Sequence, residues 1–212
     1  MTFLLTPDSI GWYFVNGGSQ ITYSRKDVWP ATYLAYAQAD FEAEKDARTL
    51  VNTISNAKRA LHYQVEGLAD AFGWKHFKGK SDFPTKLNFL GLCGVLSPTI
   101  IRRINRMRNS VEHDYYIPTE DETLEYLEIV ELYLGAVHYT ATYFPDDIEA
   151  ELMSDSDDYD PSLNYPKTIR IIIPTGKGQL TIAAAKEKLV EVSVTDPQYF
   201  KWVTAIVKQN AA

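Results

Sequence analysis

Between Ala47 and Phe72 the apolar residues fall at steps of three and four: Ala47, Leu50, Val51, Ile54, Ala57, Leu61, Val65, Leu68 and Phe72. That spacing puts them on one side of a helix with 3.6 residues per turn. The helical pattern begins at Trp29, and Pro30 suits a first turn. Residues 29–72 are one long helix or two, with a break near Glu44–Ala47. Beyond residue 166 the period drops to two. "TIRIIIPT", "QLTIAAA" and "KLVEVSV" read as strands, with "TGKG" as a hairpin turn and Asp196-Pro197 opening a last helix.

The rest fills in around this change of period. "IGWYFV" and "ITYS" flank the turn-rich "NGGSQ" and predict an N-terminal hairpin over residues 1–24 that could extend the C-terminal sheet. "GWKHFKGKSDFP" is a loop, and "TKLNFLGLCGVL" a short apolar helix weakened by Gly91 and Gly94. Ser97 and Pro98 open a helix that runs to about Tyr115 and must stop before Pro118. Thr119 and Glu122 form a capping box for the next helix, which carries Leu124, Leu127, Val130, Leu134 and Val137 toward Phe144. Residues 145–160 hold eight acids and no base, and read as a linker.

The expected fold class is therefore mainly α. A four- to five-helix antiparallel bundle spans residues 25–146, an acidic linker 147–162, and a small β-rich unit of ββ(β)α type 163–212.

Bulk properties narrow the function. The chain has 212 residues, enough for one large domain, and a net charge of −7 that argues against broad nucleic-acid coating. One cysteine, Cys93, cannot form an internal disulfide and fits a reducing compartment. No signal peptide is read in "MTFLLTPDSIGWYF", and no apolar run reaches the roughly 18 residues of a membrane helix. A cytoplasmic protein without membrane partners is expected.

Against the acidic background, "RRINRMR" (102–108) has four arginines in seven residues. On a helix of about 100° per residue, Ile100, Ile101, Ile104, Met107, Val111 and Tyr115 share one face, and Arg108 lies at its edge. A guanidinium there needs an anionic partner. Asn105, Asn109 and His113 continue the polar strip, with Arg102 and Arg106 close to His113. The plainer account is an ordinary helix end, with Arg108 and Glu112 as an i,i+4 pair and a cationic His113 near the C-terminus. The sharper one is a phosphate and proton site. Arginine holds phosphate bidentately, histidine moves protons near neutral pH, and asparagine adds a neutral donor and acceptor. Such a set suits RNA cleavage by the 2′-hydroxyl, and a two-fold dimer would double its groups.

"RNSVEHDY" resembles the R-x4-H-x-Y motif of the HEPN family, with Arg108, Asn109, His113 and Tyr115 in the motif positions. The resemblance extends over about residues 40–145, with a helix of the type "NAKRALHYQVEGL" before the motif and a long helix after it. It implies a homodimeric helical bundle, often a metal-independent endoribonuclease of toxin–antitoxin or phage-defence systems. Arg108 and His113 would then be catalytic, with Asn109 orienting the phosphate or ribose. Arg102, Asn105 and Arg106 would bind RNA. Tyr115 would pack beside the site or be a regulatory target, since partners resembling minimal nucleotidyltransferases silence such toxins by adding AMP to that tyrosine. Arg106 also forms an R-x6-H pair with His113, so the arginine assignment stays open between the two. A non-catalytic module binding a nucleotide or a partner protein is the other reading. No cofactor or metal is implied.

Smaller signals lead elsewhere. "PTGKGQ" lacks P-loop spacing, and "DSDDYD" lacks the glycine and distal glutamate of a calcium loop. His62, His76 and His138 have no ligand spacing and read as packing or surface residues. Cys93 reads as buried. A flexible acidic linker could compete with RNA for the arginine strip.

Overall fold

The computed structural model describes residues 3–24, 27–95, 117–155 and 159–210. Its elements follow the chain as β1 (Tyr13–Ser19), α1 (Pro30–Glu42), α2 (Ala47–Ala71), α3 (Phe83–Leu92), α4 (Glu120–Thr142), β2 (Phe144–Leu152), β3 (Thr168–Ile172), β4 (Gln179–Ala184), β5 (Glu187–Ser193) and α5 (Pro197–Asn210). Short 3-10 turns cover Pro7–Trp12 and Trp74–His76.

The helix starts are written locally. The Asp46 carboxylate accepts from Thr49 N–H at 2.7 Å to cap α2, and Asp82 accepts from Thr85 N–H at 2.8 Å to cap α3. The capping box of Thr119 and Glu122 opens α4 as expected. Residues 29–72 resolve into two helices, since α1 ends at Glu42 before Asp46 starts α2.

The fold class departs from expectation. The chain is mixed α/β, built on a five-stranded antiparallel sheet in the order β1-β2-β3-β4-β5, and is not a mainly-α bundle with an appended β unit. Two misread segments account for the difference.

The first is the expected N-terminal hairpin. Residues 21–24 form no strand, and β1 pairs instead with β2, Tyr13 opposite Leu152 and Val15 opposite Ala150. The glycines of "NGGSQ" serve a bulge rather than a turn. Gly17 and Gly18 have φ of 107° and 96°, and a Cβ on Gly18 would stand 2.8 Å from the Phe144 carbonyl oxygen. Positive φ is what a hairpin turn needs too, so the local sequence does not separate the two uses.

The second is the acidic linker. Its first residues are the strand β2, hydrogen-bonded on both sides. Ile148 and Ala150 are buried, whereas Asp147, Glu149 and Glu151 alternate onto the outer face. The acids are tolerated because only one face of the sheet is covered. Arg170 of β3 donates through Nε to Asp147 at 2.7 Å and holds that carboxyl below the usual range. Farther on, Leu4 N–H donates to Asn164 O at 2.9 Å, the Tyr13 hydroxyl to Pro166 O at 3.1 Å, and Trp12 packs edge-on against Tyr165. The segment leading to β3 is therefore tied to the N-terminus.

All of α1 to α4 thus lies between two adjacent strands, β1 and β2. The helices and the sheet share one buried cluster, with Ile10 and Tyr13, Leu61 and Leu68 of α2, Ile171 and Ile182 of the sheet, and Tyr199 and Ile206 of α5. Each such side chain contributes about 1.5–3 kcal/mol on full burial. One joint fastens the layers. Gly73, after α2, packs on Gly178 of the β3–β4 turn, Gly176 N–H donates to Ala71 O at 2.8 Å, and the Tyr199 hydroxyl to Phe72 O at 2.9 Å. The "TGKG" segment is the hairpin turn expected of it.

Candidate functional site

Every residue of the sequence-derived site lies between 96 and 116, outside the described residues: Arg102, Asn105, Arg106, Arg108, Asn109, His113 and Tyr115. What the structure fixes is the two ends of that stretch. At one end, Gly94 abuts α5, where a Cβ on it would lie 2.9 Å from Thr204 Cα, and the Thr204 hydroxyl donates to Leu92 O at 2.9 Å. At the other, Ile117 is 57% exposed, Pro118 is buried, and Thr119 opens α4. The motif stretch therefore joins two anchored helix ends.

Its first anchor stands in a groove. A cavity of about 780 Å³ lies between α5 and the 3-10 turn Pro7–Trp12, and Leu92, Phe200, Lys201, Thr204 and Lys208 line it. Lys201 and Lys208 are seven residues apart and share a helix face. Both are exposed. Asp8 is the acid in this lining.

A second cleft, of about 440 Å³, opens where α2 gives way to α3. Tyr63, Trp74 and Phe77 contribute rings to it, and Lys75 and Lys86 contribute ammonium groups. Lys86 pairs with Glu66 at 2.9 Å, and Lys75 with Asp70 at 3.5 Å. The connecting loop also carries Lys78 and Lys80, which are exposed and make no ion pair among the described residues.

The two cavities meet at an aromatic seam. Phe77, of the cleft, and Phe200, of the groove, pack edge to face with centroids 5.9 Å apart, and Phe89 of α3 touches both. One helix, α3, reaches from Lys86 in the cleft to Leu92 in the groove. Reading "GWKHFKGKSDFP" only as a loop missed this. The signal was present in the interleaving of Trp74 and Phe77 with Lys75, Lys78 and Lys80.

The remaining candidates fall where their chemistry allows. His62 stacks on Phe83 at 4.0 Å, and His76 and His138 are exposed. Cys93 is fully buried, and burial pushes its thiol well up. Among the described residues no three His, Cys, Asp or Glu side chains gather as a metal-ligating group. No helix among them is long and apolar enough to cross a membrane. No protein-family model, curated protein or solved structure matches the chain.

Proposed function

We propose that this chain is a metal-independent endoribonuclease of the HEPN type that works as a homodimer in the cytoplasm. The R-x4-H-x-Y motif carries the reading. The groove that Leu92 lines together with Lys201 and Lys208 supports an RNA substrate. Arg108 binds the non-bridging oxygens of the scissile phosphate as a bidentate cation. His113 takes the proton of the 2′-hydroxyl, which attacks phosphorus. The 5′-oxygen leaves and is protonated, and a 2′,3′-cyclic phosphate remains. A second protomer supplies a second histidine, so that one acts as base and the other as acid.

The test is cleavage of an unstructured RNA in excess EDTA, with end analysis. Wild type yields cyclic phosphate and 5′-hydroxyl ends, whereas Arg108→Ala and His113→Ala each lose at least a hundredfold in rate. Cleavage unchanged in both variants refutes the assignment.

The non-catalytic reading has one observation of its own. Helix α4, directly after the motif, leaves Leu132 72% exposed, with Tyr139 open on the same helix and Tyr143 open at its C-cap. If the chain is a binding module, no cleavage is seen at any protein concentration, and Leu132→Asp abolishes capture of the partner.

A further inference from the structure

We infer that the cleft at the α2–α3 junction is a binding site for single-stranded RNA, holding phosphates on Lys78 and Lys80 of the loop at its edge and a base against Phe77. The inference takes its RNA from the reading above but none of the cleavage chemistry.

Strand binding without base pairing needs a cationic track and ring faces beside it. The loop supplies both in alternation. Trp74 and Phe77 turn inward, where Trp74 packs on Phe89 at 5.3 Å and on Phe77 at 5.6 Å. The lysines between and after them stay outside. The loop is held in place before any ligand arrives. Phe77 N–H donates to Trp74 O at 2.9 Å, Gly79 N–H to Phe77 O at 3.1 Å, and Asp82 N–H to Lys80 O at 2.9 Å. Gly79 keeps the mouth open, since a Cβ there would lie 3.0 Å from the Trp74 ring.

Charge points the same way. The protein carries −7 overall, and Glu66 and Asp70 in the cleft already have lysine partners. Among the described residues Lys78 and Lys80 are left as unpaired cations on a short loop, where phosphate is their natural counterion. The aromatic seam then leads from this cleft over Phe77 and Phe200 to Lys201 and Lys208. A strand following it ends in the groove between α5 and the 3-10 turn Pro7–Trp12.

The experiment uses the full chain with His113→Ala, so that RNA survives the measurement, and fluorescence anisotropy with labelled oligouridine of two and ten nucleotides. The ten-nucleotide strand should bind at least tenfold tighter than the dinucleotide. Lys78→Glu with Lys80→Glu should weaken it at least tenfold at low salt. The log–log salt slope should fall by about 1.4, from roughly 0.7 per lost phosphate contact on a single strand. Phe77→Ala should weaken binding at least fivefold, and thermal melting checks that this variant stays folded. Unchanged affinity and slope in the lysine variant overturn the proposal. So does equal binding of both lengths, which marks a nucleotide pocket, or no binding at all. Lysine-dependent binding by a wild type that never cleaves leaves the cleft standing and removes the nuclease. Cleavage with lysine-independent binding does the reverse.

Discussion

Replacing Gly73 with alanine should unlock the helices from the sheet. Gly73 sits at φ 91°, in the left-handed region, where a side chain costs about 1–2 kcal/mol. Its Cβ would also stand 2.2 Å from Gly178 Cα and 2.3 Å from Gly178 N. Both atoms are backbone, so no rotamer change relieves the contact and the β3–β4 turn must move. That movement breaks the bond from Gly176 N–H to Ala71 O, worth about 1 kcal/mol. Together the loss is about 3 kcal/mol, or about 6–12 °C in Tm for a chain of this length. Gly135→Ala is the matched control. A Cβ there meets nothing within 4 Å among the described residues in mid-helix α4, and the change should stabilise by about 0.5–1 kcal/mol. Urea unfolding followed by far-UV circular dichroism and by tryptophan fluorescence measures both variants. A Gly73→Ala loss within about 0.5 kcal/mol of zero would refute the joint. Separate melting of sheet and helices in the wild type would refute the single core.

Other perturbations test single contacts. Tyr199→Phe removes a buried donor to Phe72 O and should cost about 1–2 kcal/mol in urea unfolding, whereas Tyr133→Phe removes a buried hydroxyl without a partner among the described residues and should be neutral or stabilising. Arg170 depresses the Asp147 carboxyl, so that contribution is present above the unfolded value near 4 and is lost as pH falls through the folded value. The stability curves of wild type and Asp147→Asn, followed from pH 6 to pH 2, should therefore converge at the acid end, and the gap at pH 6 should be small because the pair is exposed. Cys93, buried with its thiol pushed up, should resist a maleimide at pH 8 while folded and react once urea unfolds the chain.

Helices were legible wherever cap, period and terminator agreed. Thr119 with Glu122, Pro30 and Pro197 all mark helix starts that the fold uses. The three C-terminal strands were legible because a two-residue period sits between turn residues. Part of β1 was legible as the extended "IGWYFV", but β2 and the pairing of the two were not, because that pairing is non-local: Tyr13 meets Leu152 across the whole helical region. In β2 the alternation of Ile148 and Ala150 with Asp147, Glu149 and Glu151 is present in the sequence, but acid content outweighed it. Strand propensity is a matter of which face is covered, and that is known only once the neighbours are placed. The site divides in the same way. The motif is readable as a string, while the seam that joins cleft and groove needs Phe77 and Phe200, far apart in sequence, to touch.

The fold also changes what the acidic run can do to RNA binding. A flexible polyanion could swing onto the arginines of 102–108, but Asp147, Glu149 and Glu151 are fixed on the outer face of a central strand. Asp160 is likewise held, accepting from Ser162 N–H at 2.9 Å in a segment tied to the N-terminus, whereas Asp157 and Asp158 of the same run lie outside the described residues. Fixed acids act only through space, and at 0.1 M salt that reach is about 10 Å. The lysines of the loop instead touch phosphate directly and release counterions. The two kinds of charge should therefore have unequal effects. Glu149→Gln with Glu151→Gln should raise the affinity for a ten-nucleotide RNA by less than about twofold at 0.1 M salt. Lys78→Glu with Lys80→Glu, which changes the net charge by four where the first pair changes it by two, should lower it at least tenfold. An increase near tenfold from the glutamine pair would mean that the strand crosses the sheet face rather than the loop.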